Sequence, residues 1–399
     1  MANLLALVVA AILTARSVAA FDVVLNAQGE YLDAYPIDGT EPPRRVVLID
    51  PDPPSPGDPH GPLPRVGRHV NGKLCFFPKK SKRHGQFVLA DDTYREACVD
   101  RHPPDARCAL TNPRAPGYVG KDVDGWAVFG RSARWTGLVI HTEGVAGQNE
   151  IEGNIDPQGC AFDADGNFWG TDVGHGNFGD NDGSLVVFFP GPRERYDTYC
   201  FLDKHLAAPG MPVMDAAGSF YVPEPAALHV AKFSPPFPKS AADCANSEHL
   251  VTTPPTKTLY TLGDVLTTVG IANVPGSDHF YLSSALIPPI INEYDAGFGF
   301  VRTIVPDGMP LNPLGMAVGS DGTVYYSELN LDPTTFNPRC GRVSRVRFDA
   351  TGSPLPPEVL GEHLQFPDGV TVVDSRRLRV NWDTLAPAPD IPPDACGGE

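Results

Sequence analysis

The chain has 399 residues, of which 43 are proline and 40 glycine, and 48 acidic side chains stand against 31 basic ones. Proline and glycine together make about a fifth of the chain, against roughly 12% in an average protein, which leaves little room for long helices and argues against a helical bundle or solenoid. A formal charge of −17 argues against nucleic acid or an anionic membrane as partner, because nothing in the chain neutralises phosphates in bulk; a hydrophobic share of 42% still suffices for a buried core.

In chain order, residues 4–13 are an apolar run too short to cross a bilayer, followed by the small residues Val18-Ala19-Ala20. This pattern predicts a signal peptide over residues 1–20, cleaved after Ala20, and a secreted or periplasmic product with no membrane span. Residues 21–110 are expected to supply N-terminal strands and a proline-rich exposed loop over 51–64. The basic cluster Lys79-Lys80-Ser81-Lys82-Arg83-His84 reads as a solvated loop. All eight cysteines follow the signal, an even number that in an oxidising compartment suggests up to four disulfides. Cys98 with Cys108 is the first expected closure, and Cys160 is open between a disulfide and a buried free thiol.

Between residues 111 and 385 the chain repeats itself. The stretch Pro157-Gln158-Gly159-Cys160-Ala161-Phe162-Asp163-Ala164-Asp165-Gly166-Asn167-Phe168-Trp169-Gly170-Thr171-Asp172 aligns without a gap with Pro313-Leu314-Gly315 through Asp321-Gly322 to Glu328. It aligns equally with Pro209-Gly210-Met211 through Ala217-Gly218 to Glu224, and with a longer turn to Gly270-Ile271-Ala272 through Ser284. A weaker copy starts at Pro116-Gly117-Tyr118 and a truncated one at Pro367-Asp368-Gly369. Each unit is an apolar stretch, an Asp-Gly-like turn and an aromatic or β-branched stretch, which is a hairpin signal. Third strands are expected at 138–141, 184–189, 229–233, 290–294 and 342–348.

Six antiparallel units of about 40–60 residues predict an all-β fold, a six-bladed β-propeller. The last unit runs out of sequence near Trp382 and Asp383. N-terminal strands, Arg44-Arg45-Val46-Val47-Leu48-Ile49-Asp50 among them, are therefore expected to complete the C-terminal blade and close the ring. Residues 386–399 read as a tail in which Cys396 could be pinned.

The pattern P-x-G-x-A-x-x-x-D-G-x-x-Y/W-x-x-D/E over roughly residues 111–385 resembles the NHL-repeat and gluconolactonase, or senescence-marker-protein, superfamily of six-bladed propellers, and is similar to paraoxonases and strictosidine synthase-like proteins. The resemblance implies a divalent metal, usually calcium, at one mouth of the central channel, held by Asn, Asp and Glu at the starts of inner strands. Those slots here are Gly117, Gln158, Gly210, Val269, Leu314 and Asp368. Asp368 matches the aspartate ligand, Gln158 stands where an asparagine is usual, and Leu314 departs from the pattern. Asn154 could add an oxygen to the same rim.

The second strand of each unit returns to that mouth, so Asp172, Glu224 and Glu328 gather there as further metal candidates. The alternative is that these carboxylates cap strand-end turns by accepting backbone N–H bonds. Histidine suits general-base work near neutral pH, and His175 and His229, just after Asp172 and Glu224, are the catalytic candidates. A polar loop histidine is the alternative for either. No G-x-S-x-G, H-E-x-x-H or Walker loop is present. The expected function is an exported, metal-dependent hydrolase of lactones or esters, monomeric, with a small-molecule substrate at the channel mouth. The alternative is a non-catalytic propeller that binds a ligand or a protein.

Overall fold

Four of the repeated turns begin with an aspartate, and the geometry explains the choice. In the computed structural model the N–H groups of Asp163, Asp215, Asp295 and Asp349 each bond the carbonyl four residues on, at 2.9–3.1 Å. The aspartate side chain then accepts N–H groups inside its own turn, as Asp163 Oδ1 does from Asp165 and Asn167 and Asp349 Oδ1 from Thr351 and Ser353. The fourth residue of each turn is left-handed: Gly166, Gly218 and Gly352 at φ 87°, 81° and 80°, and Phe298 at φ 61°. Phe298 adopts this backbone at a cost, offset by burying its ring against Tyr221 and Phe280.

The structure describes residues 22–28, 31–38, 42–48, 74–76, 87–91, 125–130, 134–141, 157–173, 181–190, 198–265, 267–331, 338–364, 367–374 and 386–388. Twenty-five strands in these residues form antiparallel sheets in a propeller-like arrangement. In chain order β1 (Asp22–Gln28), β2 (Tyr31–Pro36) and β3 (Arg44–Leu48) come first, then β4 (Leu74–Phe76), β5 (Phe87–Asp91), β6 (Gly125–Gly130) and β7 (Arg134–His141). Four consecutive four-stranded blades follow. They are β8 (Pro157–Phe162), β9 (Phe168–Asp172), β10 (Gly183–Phe189), β11 (Thr198–Leu206); β12 (Val213–Met214), β13 (Phe220–Glu224), β14 (His229–Ser234), β15 (Thr256–Thr261). Next are β16 (Thr268–Asn273), β17 (Phe280–Ser284), β18 (Ile290–Tyr294), β19 (Phe300–Val305); and β20 (Asn312–Val318), β21 (Val324–Leu331), β22 (Pro338–Val346), β23 (Glu358–Leu364). Last come β24 (Pro367–Asp374) and β25 (Ala386–Pro387).

Apolar side chains fill the space between blades rather than one central core. Period-two alternation along each second strand sends one ring forward and its neighbour back. Trp169 meets Phe220 of the next blade at 4.2 Å between ring centroids, and Tyr221 meets Phe280 of the one after at 4.4 Å. Tyr326 packs back towards Tyr281 and Ile291, whereas Tyr325 packs forward with Tyr35 and Val370. Burying such a ring stabilises the fold by about 3 kcal/mol, so the aromatic doublet of the repeat is what welds blade to blade.

Two sheets differ from the expected assignment. In the sheet β4-β5-β6-β7, β6 is the third strand and β7, which contains residues 138–141, the fourth. The expected strand at Gly117-Tyr118 lies outside the described residues. The sheet β24-β1-β2-β3-β25 starts from one C-terminal strand, and β1 pairs with it directly, Val24 opposite Val372. The N-terminus thus supplies the second, third and fourth positions, with Arg44–Leu48 in the fourth. Trp382 and Asp383 lie outside the described residues.

Cys200 of β11 is bonded to Cys244 in the long β14–β15 connection, and Cys160 and Cys340 are also in disulfides. Cys160 is therefore no free thiol. Cys98 and Cys108 lie outside the described residues. Among the described residues no helix is long and apolar enough to cross a membrane; this and the disulfide are compatible with a secreted or periplasmic protein.

Candidate functional site

The blade end at which the first strands start is built from close backbone approaches. A Cβ on Gly159 would fall 2.5 Å from Met211 Cα of the next blade, on Gly210 2.3 Å from Val269 O, and on Gly270 2.1 Å from Leu314 O. In each of these three units a glycine at the start of the first strand is thus the place where the following blade's first strand enters contact. Hydroxyls one residue before Asp172 and Ser284 lock the approach: Thr171 Oγ1 donates to Gly210 O and Ser283 Oγ to Leu314 O, both at 2.7 Å. Met211 N adds a bond to Val269 O at 2.8 Å. Sequence reading missed these hydroxyls, although Thr171, Ser283 and Ser327 recur at one repeat position.

At the same end the last residue of three second strands lies opposite a residue at the start of the third, Asp172 opposite Ser184, Glu224 opposite His229 and Ser284 opposite Ile290, and in the longer β21 and β22 the equivalent Glu328 lies opposite Arg342. Glu328 is fully buried and accepts four hydrogen bonds. Arg342 Nε (2.9 Å) and Ser344 Oγ (2.5 Å) donate to Oε1, and Leu311 N (2.7 Å) and Arg342 Nη2 (3.0 Å) to Oε2. These fill its lone pairs. Burial tends to lower the Arg342 guanidinium, and the hydrogen bond and charge of Glu328 reverse this, so it ends above its ordinary value. Removing either partner alone would strand the other, at about 3–5 kcal/mol.

Glu224 is 2% exposed. Its Oε2 accepts from Ala207 N at 2.7 Å; its Oε1 lies 2.9 Å from His229 Nε2 and 3.8 Å from Lys257 Nζ, which itself bonds Asp203 of β11. Both glutamates therefore accept a backbone N–H from the loop leading into their own blade, seventeen residues earlier in each case. That is the turn-capping role, with Arg342 and His229 as added partners. Asp172 is buried at the equivalent position of the β8–β11 blade.

Gln158 is half-buried at the start of β8. Asp368 lies at the start of β24, whose Pro367 ring is within 2.7 Å of a Cβ built on Gly341, beside Glu328 O. The two strand starts therefore belong to the same end of the blades. His175 and Asn154 lie outside the described residues. Among the described residues no three His, Cys, Asp or Glu side chains converge as a metal group. Asn312 is spent on Ala285 O and Leu331 N. Where oxygen ligands were expected, Val269 and Leu314 instead join Met211, Ala285, Leu286, Leu329 and Leu331 in one apolar cluster across three blades. Ile287 and Met309, in adjoining loops, are more than half exposed.

No family model matches the chain, and no curated protein matches it. Among solved structures it is similar to a protein of unknown function from Bacteroides caccae, at 10% identity and a TM-score of 0.50 over 88% of this chain and 99% of that one. A protein from Bacteroides uniformis provisionally assigned as a 6-phosphogluconolactonase is similar at 10% identity and a TM-score of 0.46, over 89% and 99%. A protein from Lactobacillus plantarum is similar at 10% identity and a TM-score of 0.46, over 89% and 99%. At such identity the likeness bears on the fold and on nothing else.

Proposed function

We propose that the sheets close into one six-bladed ring and that this ring binds an uncharged, largely apolar small molecule at the end where the first strands start. Supporting closure, the first strands touch in cyclic order: β8 with β12, β12 with β16, β16 with β20, β20 with β24, β24 with β4 and β4 with β8. The observation that carries the binding reading is the apolar cluster of Met211, Val269, Leu286, Leu314 and Leu331, of which Val269 and Leu314 stand at positions the resemblance reserves for metal ligands. Small-molecule sites are lined mostly by apolar side chains with a few polar groups placed among them. Saturable binding of an anilinonaphthalene fluorophore to the native protein is expected. Leu314→Glu should abolish it while circular dichroism stays unchanged. Binding that is unaffected by Leu314→Glu overturns the reading.

A second reading, a secreted or periplasmic metal-dependent hydrolase of lactones or esters, is favoured by the shared end of Gln158 and Asp368. With Glu328 saturated internally, the donor set for a divalent ion such as calcium narrows to Asp368, Gln158, Asp172 and Asn154, with Glu224 already holding three partners. An ion held there would supply Lewis-acid polarisation of a carbonyl and a lowered pKa of water. Metal analysis of the purified protein is expected to find about one divalent ion per chain, lost in Asp368→Ala; a metal-free wild-type protein removes this reading.

A further inference from the structure

Second strands end, and fourth strands return, at the end where the first strands start, and three connections there lack the polar residues that surface turns ordinarily carry. The β17–β18 connection, Ala285-Leu286-Ile287-Pro288-Pro289, has no polar side chain at all. Pro225-Ala226-Ala227-Leu228 joins β13 to β14, and Met309-Pro310-Leu311 completes the β19–β20 connection. Leu228, Ile287 and Met309 stand 38%, 58% and 53% exposed. The other exposed large apolar side chains among the described residues lie on the outer strands β15, β19 and β23 or, for Leu355, in the β22–β23 turn. Leu286 belongs to the apolar cluster of Val269 and Leu314, so the Ile287 tip carries that cluster outward to the surface.

The backbone donors of these tips are spent inside the protein. Ala285 N bonds Thr267 O at 3.0 Å, and Leu286 N and Ile287 N both bond Thr267 Oγ1, at 2.8 and 3.2 Å. Pro288 and Pro289 have no N–H to satisfy. In the next connection Met309 N bonds Pro306 O and Leu311 N bonds Glu328 Oε2. Charge is held away from the Ile287 tip as well. The carboxylates at the equivalent rung of the two flanking blades are engaged, Glu224 by His229 and Glu328 by Arg342, whereas this blade has Ser284 opposite Ile290. Asp307 is the only ionisable side chain in the three connections.

We propose that the Leu228, Ile287 and Met309 tips dock on a neutral, zwitterionic lipid surface, from which the ring draws its apolar ligand; the ligand half of this rests on the binding reading above. A tip whose N–H groups are all bonded internally enters the apolar side of a lipid interface without stranding a donor. An apolar ligand is held in lipid rather than in water, so exposed apolar tips continuous with its site reach the phase that contains it. The charge of −17, with Asp307 in the rim itself, repels anionic headgroups and leaves a zwitterionic surface as the occupant. Three side chains make a weak, reversible contact rather than an anchor, which lets the protein leave with its ligand.

The test is flotation of the full chain with vesicles of phosphatidylcholine alone and of phosphatidylcholine mixed with anionic phosphatidylglycerol. The wild-type protein should float with the neutral vesicles and less with the anionic ones, the difference shrinking as salt is added. Ile287→Asp combined with Met309→Asp should lower partitioning into neutral vesicles at least about tenfold, with saturable fluorophore binding in solution kept. Leu259→Asp, on the outer strand β15 and 52% exposed, should change neither. No flotation of the wild type, equal flotation of the double variant, or tighter binding to the anionic vesicles overturns the proposal. So does self-association of the vesicle-free protein that the double variant abolishes, since the rim would then belong to a second copy. Flotation without fluorophore binding removes the ligand site and supports the lipid contact; fluorophore binding without flotation does the reverse.

Discussion

Single side chains carry most of the polar interior, and their burial has a pH signature. Burial pushes the hydroxyls of Tyr294 and Tyr326 well above the ordinary tyrosine range, with the charge of Glu328 adding to the effect at Tyr326 and Asp264 at Tyr294. Tyr221, Tyr281 and Tyr325 are raised in the same direction, again by burial first. Below about pH 10 all are protonated in both folded and unfolded chains. Above it the unfolded chain ionises while the folded one resists, so the unfolded state binds fewer protons and stability falls as pH rises. Denaturant unfolding should therefore show flat stability at mildly alkaline pH and a decline above about pH 10. Tyr326→Phe should make that decline shallower; an unchanged slope would mean that Tyr326 ionises in place. At this scale the sequence exposed the residue types but not their partners. Glu224 and Glu328 were legible as strand-end acids, and turn capping was one of two readings open for them. Their bonds to His229 and Arg342 depend on cross-strand register, which a list of residues does not state.

Elements are joined through the places where a backbone must come close to another. Gly270 is the tightest, with a Cβ 2.1 Å from Leu314 O, whereas a Cβ on Gly263 would meet nothing within 4 Å. Gly270→Ala should cost about 1–3 kcal/mol in chemical denaturation, and Gly263→Ala should stay within about 0.5 kcal/mol of wild type. Equal effects would show that the blades slide apart to relieve the contact. The P-x-G signature was plain in the sequence, and so were the Asp-Gly turns. That the glycine serves the next blade rather than its own strand was not legible, because the repeat aligns each unit with itself and says nothing about what it faces. Misplacement of the Pro116 unit has a similar cause. One Asp-Gly turn and one apolar run cannot distinguish the first hairpin of a blade from the last.

On the scale of the whole molecule, the chain is tied by covalent as well as sheet contacts. Cys200 and Cys244, both fully buried and 44 residues apart, fasten the β14–β15 connection to the neighbouring blade. Phe237 of that connection packs on Trp169 and Phe220 from two blades. Replacing the pair by Cys200→Ala and Cys244→Ala should lower stability by about 2–4 kcal/mol, read as a lower urea midpoint with the same slope. A changed slope would signal that the connection had already come loose in the native state.

The repeat, the turn chemistry and the aromatic doublets are local, with partners within one hairpin, so sequence alone determined an all-β chain of propeller-like units and an acidic character unsuited to nucleic acid. Only the tertiary structure decided that β1 lies directly beside β24, that Glu328 is saturated by Arg342, Ser344 and Leu311, and that Val269 and Leu314 form an apolar cluster where ligands were expected. Each of these depends on register or on contact between distant units. Hydrophobic pattern marks which residues are buried, but not which neighbour buries them.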